Sequence, residues 1–196
     1  MMDERLSKAQ TVVFDVGNVL LAFDIKKVCT LLPEETRTPL TQAMFGPGYP
    51  WGAFDLGAES NEAIALRIAK EAGLPHCQDQ VLSVLYQFPE LMEPLPLVKE
   101  LPRLKSMGKQ IYALTNFPEP SFTYVCQRFP FMTEYFDGHL VSAREKMIKP
   151  DKAIFHLLAE KFSLTPEETL YIDDSLPNIL SAQSVGFQAW HYTEIP

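Results

Sequence analysis

The sequence predicts an α/β fold in which a parallel sheet of about five strands is sandwiched by helices. Three observations lead there. Short β-branched and aromatic runs alternate with segments of helical periodicity, the runs are apolar at consecutive positions as strands buried on both faces require, and their ends carry polar residues.

Taken in order, Thr11 to Asp15 reads as a buried strand closed by a turn at Gly17. Gln110 to Thr115, Gly138 to Ser142, Thr169 to Asp173 and Phe187 to Trp190 read as the other strands. Asp151 is placed to cap a helix whose apolar face is Ile154, Phe155, Leu158 and Phe162, with His156 expected in or at the edge of the core. Thr165-Pro166-Glu167-Glu168 has the form of a capping box, and Leu176 to Val185 reads as a last helix stopped by Gly186. The interval between the first strand and Gln110 is too long for one crossover. It contains a helical segment, Ser60 to Ala72, so residues 24–93 are expected to form an inserted helical unit, with 1–23 and 94–196 as the α/β core. Pro94-Leu95-Pro96 marks the return. Leu97, Val98, Leu101 and Leu104 have helical spacing, but Pro102 lies among them, which calls for a kink or a helix restarting there.

Composition narrows the function. The 196 residues include 17 Lys plus Arg against 25 Asp plus Glu, a net charge of −8 that speaks against a nucleic-acid partner. No apolar run approaches the ~20 residues of a membrane span, and Met1-Met2-Asp3-Glu4-Arg5 lacks an apolar signal region, so a cytoplasmic location is expected. Cys29, Cys77 and Cys126 are odd in number and far apart, as suits reduced thiols, and His76, His139, His156 and His191 show no zinc spacing. A monomer or weak homodimer is expected.

The polar residues at strand ends carry the chemistry. Asp15 closes the first strand, Thr115 and Asn116 the second, Lys149-Pro150 follow the third, and Asp173-Asp174-Ser175 close the fourth. In a parallel sheet these ends share one edge, so they would form one pocket. Three carboxylates at close range repel unless a cation joins them, and oxygen-only ligands favour Mg²⁺. Lys149, Thr115 and backbone N–H groups would then receive phosphate oxygens.

Phe14-Asp15-Val16-Gly17-Asn18-Val19-Leu20, Leu114-Thr115-Asn116, Lys149-Pro150 and Tyr171-Ile172-Asp173-Asp174-Ser175 with Asn178, in that order, resemble the four motifs of the haloacid dehalogenase (HAD) superfamily. The resemblance implies a Rossmann-like core with a helical cap and a Mg²⁺-dependent phosphohydrolase working through an aspartyl-phosphate. By the same resemblance Asp15 is the nucleophile and a metal ligand, and Gly17 offers its carbonyl to Mg²⁺. Asp174 binds the metal directly and Asp173 holds a metal-bound water. Thr115, Asn116 and Lys149 bind the phosphoryl group, with Lys149 also offsetting the charge around Asp15. The Asp-x-Gly-Asn-Val form of the first motif is similar to that of bacterial sugar phosphatases acting on glucose 1-phosphate, which implies a small phosphorylated metabolite as substrate.

The pattern breaks at Gly17, where most phosphatases of this superfamily carry a second aspartate as acid and base. Three accounts are open: a substrate with a better leaving group, proton delivery by another residue or a water, or a protein that binds phosphate compounds and acts as a sensor or interaction module. A 2-haloacid dehalogenase is disfavoured, because Asp173-Asp174 fit a metal that halide displacement does not need. Trp51, Phe54, Asp55 and Glu59 lie in or beside the glycine-containing stretch Gly46 to Gly57, either as sugar-reading groups or as ordinary packing, and Phe23 and Phe117 are alternative pocket walls.

Overall fold

The structure, a computed structural model, describes residues 3–46 and 50–193. Five strands form one parallel sheet: β1 (Thr11–Phe14), β2 (Gln110–Thr115), β3 (Gly138–Val141), β4 (Thr169–Asp173) and β5 (Gln188–His191), in the order β3-β2-β1-β4-β5. The chain moves outward from β1 in one direction as far as β3, then returns to the other side of β1 for β4. The crevice beside the C-terminal end of β1 is therefore the topological switch point, where open α/β sheets bind ligands.

Side chains alternate across the sheet as the pleat demands. Val12, Phe14, Ile111, Ala113, Leu170 and Ile172 enter one core, which the helices before β2 and between β2 and β3 cover. Val13, Tyr112, Leu114, Leu140 and Tyr171 enter the other, closed by helices Lys152–Phe162 and Leu176–Ser184. Both faces are buried, which explains why the strands read as continuous apolar runs. Between β1 and β2 the chain is helical: Ile25–Cys29, Glu34–Phe45, Pro50–Leu56, Asn61–Glu71 and Gln78–Gln87 are α-helices. Ser60 caps the fourth of these by accepting from the Ala63 N–H at 3.2 Å. The Gly46–Gly57 stretch falls partly outside the described residues, as do Met1 and Met2. No helix among the described residues is long and apolar enough to cross a membrane.

Several local expectations need correction. β1 ends at Phe14 and β3 at Val141, one residue earlier than expected, so that Asp15 and Ser142 stand just beyond the sheet, and β5 is displaced one residue toward the C-terminus. Of the two readings of the proline in 97–104, the helix restart holds, one residue before Pro102, and the kink does not. A 3₁₀ helix, Pro96–Glu100, hands over to an α-helix at Leu101, so Pro102 sits in a first turn where its missing N–H is no loss. The capping box at Thr165 does not form. Only a 3₁₀ turn, Pro166–Glu168, precedes β4, and the Glu168 N–H that the Thr165 hydroxyl would have taken is bound at 3.0 Å to the Thr165 carbonyl. His156 is exposed, because the phase that buries Phe155 and Leu158 turns it outward. Cys29, Cys77 and Cys126 are free thiols.

Gly138 opens β3 directly against the Phe162 ring, which itself stacks on Tyr112 with centroids 4.5 Å apart. A Cβ at Gly138 would stand 2.6 Å from Phe162 Cε1. Gly138→Val is expected to destabilise the protein by roughly 1–3 kcal/mol through overpacking, and Phe162→Ala added to it should recover part of that loss. Urea unfolding of the two variants checks this.

Candidate active site

The C-terminal ends of β1, β2 and β4, with the loop after β3, surround one small cavity of ≈ 170 Å³. Asp15, Gly17, Asn18, Thr115, Asn116, Lys149, Asp174 and Asn178 form its polar part, while Phe23, Trp51, Phe88, Met92, Phe117 and Pro118 form an apolar wall. Asp55 completes the lining from the helix Pro50–Leu56. Of the expected site residues, all but Asp173 face this cavity.

Asp15 follows β1 with its own N–H bound to the Ile172 carbonyl at 2.8 Å, which sets its backbone beside the end of β4. Its Oδ1 accepts from the Val16 N–H at 2.7 Å and lies 2.9 Å from the Lys149 ammonium. Lys149 is buried, and its Nζ also reaches Asp173 Oδ2 at 2.8 Å and the Leu114 carbonyl at 3.2 Å. Desolvation works against the charged lysine, but the two carboxylates outweigh it and hold its pKa above the usual value. Asn116 fixes the loop that carries Lys149: its side-chain Nδ2 donates to the Lys149 carbonyl at 3.0 Å, and its Oδ1 accepts the Lys149 N–H at 2.9 Å.

Asp173 is fully enclosed. Its oxygens accept from Lys149, from the Ser175 N–H at 2.8 Å, from Asn178 Nδ2 at 3.1 Å and from the Tyr171 hydroxyl. Burial opposes its ionisation, yet Lys149 and these donors prevail and keep its pKa below the ordinary carboxylate value. One ammonium cannot serve two carboxylates equally. Asp15 pays for the arrangement: desolvation, opposed by Lys149 and reinforced by the charge of Asp173, pushes its pKa up to about 7. Asp174, half-buried and facing the cavity, is raised by desolvation and by Asp173, with a hydrogen bond from Asn18 acting in the opposite sense. Asn18 takes the left-handed conformation at φ 55°, and its Oδ1 accepts the Phe23 N–H at 2.9 Å.

The donor chemistry fits a divalent cation. One oxygen from each of Asp15, Asp173 and Asp174 lies within 4.8 Å of the others, every donor is a hard carboxylate oxygen, and ionising all three acids against one ammonium would leave two negative charges for a cation to offset. Asp15 and Asp174 are the two that face the cavity.

Trp51 and Phe54 are core residues of the helical segment: Trp51 packs among Phe23, Phe45, Phe54 and Phe88, with centroids 4.8–5.8 Å away. One side of Trp51 also reaches the cavity, together with Phe23 and Phe117. Glu59 pairs with Arg67 at 3.0 Å and does not line the cavity. The roles of Asn18 and Tyr171 were not evident from the sequence. The only sign was that Asn tolerates the left-handed conformation that the turn after Gly17 requires.

The model of the haloacid dehalogenase-like hydrolase family matches residues 9–186. The sesquiterpene phosphatase astK of Aspergillus oryzae is 26% identical over 191 residues, covering 93% of this chain and 89% of that one. A phosphorylated carbohydrates phosphatase of Thermotoga maritima is 28% identical over 102 residues, 52% of this chain and 47% of its own. Among solved structures, a HAD family enzyme of Bacteroides thetaiotaomicron in complex with magnesium and inorganic phosphate superposes with a TM-score of 0.76 at 22% identity, covering 93% of both chains. L-2-haloacid dehalogenase of Xanthobacter autotrophicus gives 0.66 at 19% identity, covering 92% of this chain and 76% of that one. These two likenesses concern the fold.

Replacing Lys149 by Met would strand two buried carboxylates, of which Asp15 can take up a proton and Asp173 cannot do so without losing its donors' partner. Lys149→Met is expected to destabilise the protein by roughly 3–5 kcal/mol, and Lys149→Met with Asp173→Asn should be the more stable of the two variants. Chemical denaturation at neutral pH without divalent cations measures the difference. The chain belongs to the haloacid dehalogenase-like hydrolase family and is an enzyme of its phosphatase kind.

Proposed function

We propose that the protein is a Mg²⁺-dependent phosphomonoester hydrolase for small phosphorylated metabolites, acting through an aspartyl-phosphate on Asp15. The observation that carries this is the convergence of Asp15, Thr115, Lys149 and Asp174 from four separated segments on one cavity. In this reading Asp15, Asp174 and the Gly17 carbonyl would hold Mg²⁺, while Asp173, enclosed behind them and outside the cavity, anchors Lys149 instead of holding a metal-bound water. The ion supplies neutralisation of the phosphoryl charge. Asp15 attacks phosphorus, Thr115 and Lys149 hold the phosphoryl oxygens, and Asn116 keeps Lys149 in place. Residues 24–93 serve as a cap on the core formed by 1–23 and 94–196, closing the cavity with Trp51, Asp55 and Phe88.

Sugar phosphates are the first substrate class of this reading, on the strength of the first-motif resemblance and of the small cavity, below the about 300–1,000 Å³ of drug-sized ligand sites. A second class is favoured by a specific feature: the wall of Phe23, Trp51, Phe88, Met92 and Phe117 suits the phosphate of an apolar alcohol. Inorganic phosphate release from a panel spanning both classes tests the proposal. Turnover is expected with Mg²⁺, and its loss both in Asp15→Asn and on chelation. Turnover that survives Asp15→Asn contradicts the assignment of the nucleophile.

A further inference from the structure

We infer that Asp55 is the general acid and base of this site, donating the proton to the leaving oxygen and later accepting one from the attacking water. The inference deepens the phosphatase reading and rests on it.

Phosphoryl transfer to Asp15 breaks the bond between phosphorus and the alcohol oxygen, and the electron pair that stays on that oxygen needs a proton. Among the described residues, four ionisable side chains line the cavity: Asp15, Asp55, Lys149 and Asp174. Asp15 is the nucleophile, Lys149 is held between Asp15 and Asp173, and Asp174 belongs to the cation cluster. Asp55 alone has no assigned task. It enters from the helical segment, on the side of the cavity formed by Trp51 and Phe88, whereas the phosphoryl-holding groups come from the sheet edge.

Its placement is built. The Ser142 hydroxyl donates to the Asp55 carbonyl at 2.5 Å and accepts the Phe117 N–H at 2.9 Å, tying the end of the helix Pro50–Leu56 to the end of β3 and the loop after β2. Lys146 Nζ reaches the Gly57 carbonyl at 2.5 Å. Gly57 has φ 62°, and a Cβ there would stand 2.9 Å from Ala143 Cβ, so the helical segment approaches the core as closely as glycine allows. The Asp55 carboxyl is hydrogen-bonded to Trp51.

The local field favours the protonated acid. Desolvation holds the Asp55 pKa well above the ordinary carboxylate value. Lys149 and the Trp51 hydrogen bond pull it down, and the charge of Asp15 pushes it up. The balance closes. The Asp55 proton goes to the alcohol oxygen as Asp15 takes the phosphoryl group; Asp55 carboxylate then takes a proton from the water that attacks phosphorus, inorganic phosphate leaves, and Asp15 is free again.

Position 17 offers an independent check. Gly17 lines the same cavity, lies outside the left-handed region, and has open space where a Cβ would stand, with no atom within 4 Å. There is room for an aspartate side chain at this position on the lining of the same cavity.

The test compares an alkyl and an activated phosphate, glucose 6-phosphate and 4-nitrophenyl phosphate, in Asp55→Asn, which is isosteric with the neutral acid. General acid-base groups contribute about 10²–10⁴-fold, so turnover of the sugar phosphate is expected to fall by that factor. The rapid burst of 4-nitrophenolate should survive within tenfold and be followed by a slowed steady state as the phosphoenzyme accumulates. Gly17→Asp added to Asp55→Asn is expected to restore at least tenfold of the lost sugar-phosphate turnover, and Asp55→Ser, with the same contrast between the two probes, serves where Asp55→Asn melts early. Equal losses on both probes, no loss on either, or no gain from Gly17→Asp overturn the role of Asp55. A wild-type protein inactive on both overturns the phosphatase reading, and this inference with it.

Discussion

The Lys149 ammonium lies 2.9 Å from Asp15 and 2.8 Å from Asp173, within a sheet edge from which water is largely excluded. Burying a carboxylate without a partner is costly, and two side by side would be worse. The ion triad is what lets β1 and β4 end next to each other with an acid on each. Its geometry is enforced from behind. Asn116 holds the Lys149 backbone at both its N–H and its carbonyl, while Tyr171, Ser175 and Asn178 satisfy Asp173. The donors around Asp173 leave Lys149 divided unequally between its two partners. Asp15 remains only partly neutralised, on the polar floor of the cavity and near Asp174. A carboxylate under that load is a natural position for a cation and for an electrophile.

The helical segment completes the site instead of merely covering it. Its aromatic cluster, with Trp51 at the centre, has two functions: it packs the segment into the same core as one face of the sheet, and it supplies one wall of the cavity. The Ser142 hydroxyl joins that wall to the sheet edge through a single side chain bonded to both. The cavity therefore combines a polar floor, whose charges come from strand ends, with an apolar roof from helices. In the proposed reading such a division would place phosphate and organic moiety in opposite halves of the same space, and among the described residues the roof contributes one ionisable group, Asp55.

Much of this was legible in the sequence because parallel topology concentrates strand ends at one edge. Asp15, Thr115, Lys149 and Asp174 could be grouped from their position after apolar runs alone, and the structure brings them to one cavity. The same reasoning could not separate Asp173 from Asp174. The two are adjacent and chemically identical, and the alternation of side chains along β4 puts Asp173 on the side of Tyr171, toward Lys149, while Asp174 beyond the strand end faces the cavity. Asp55 and Glu59 were likewise indistinguishable in a stretch rich in glycine and acids, and the docking at Ser142 and Gly57 decides between them. Local signals failed where a longer element overrode them. Thr165 has the sequence of a helix cap, but β4 begins too soon for a helix to follow.

The account stands on Asp15 becoming phosphorylated under the protection of Lys149. Acid quenching of the protein during turnover of a phosphomonoester in the presence of Mg²⁺, followed by peptide mass spectrometry, addresses that directly. The expected result is a phosphoryl adduct on the peptide containing Asp15, labile to hydroxylamine as an acyl phosphate must be. Steady turnover with no adduct at any quench time, or with the phosphoryl group on another residue, would contradict the account.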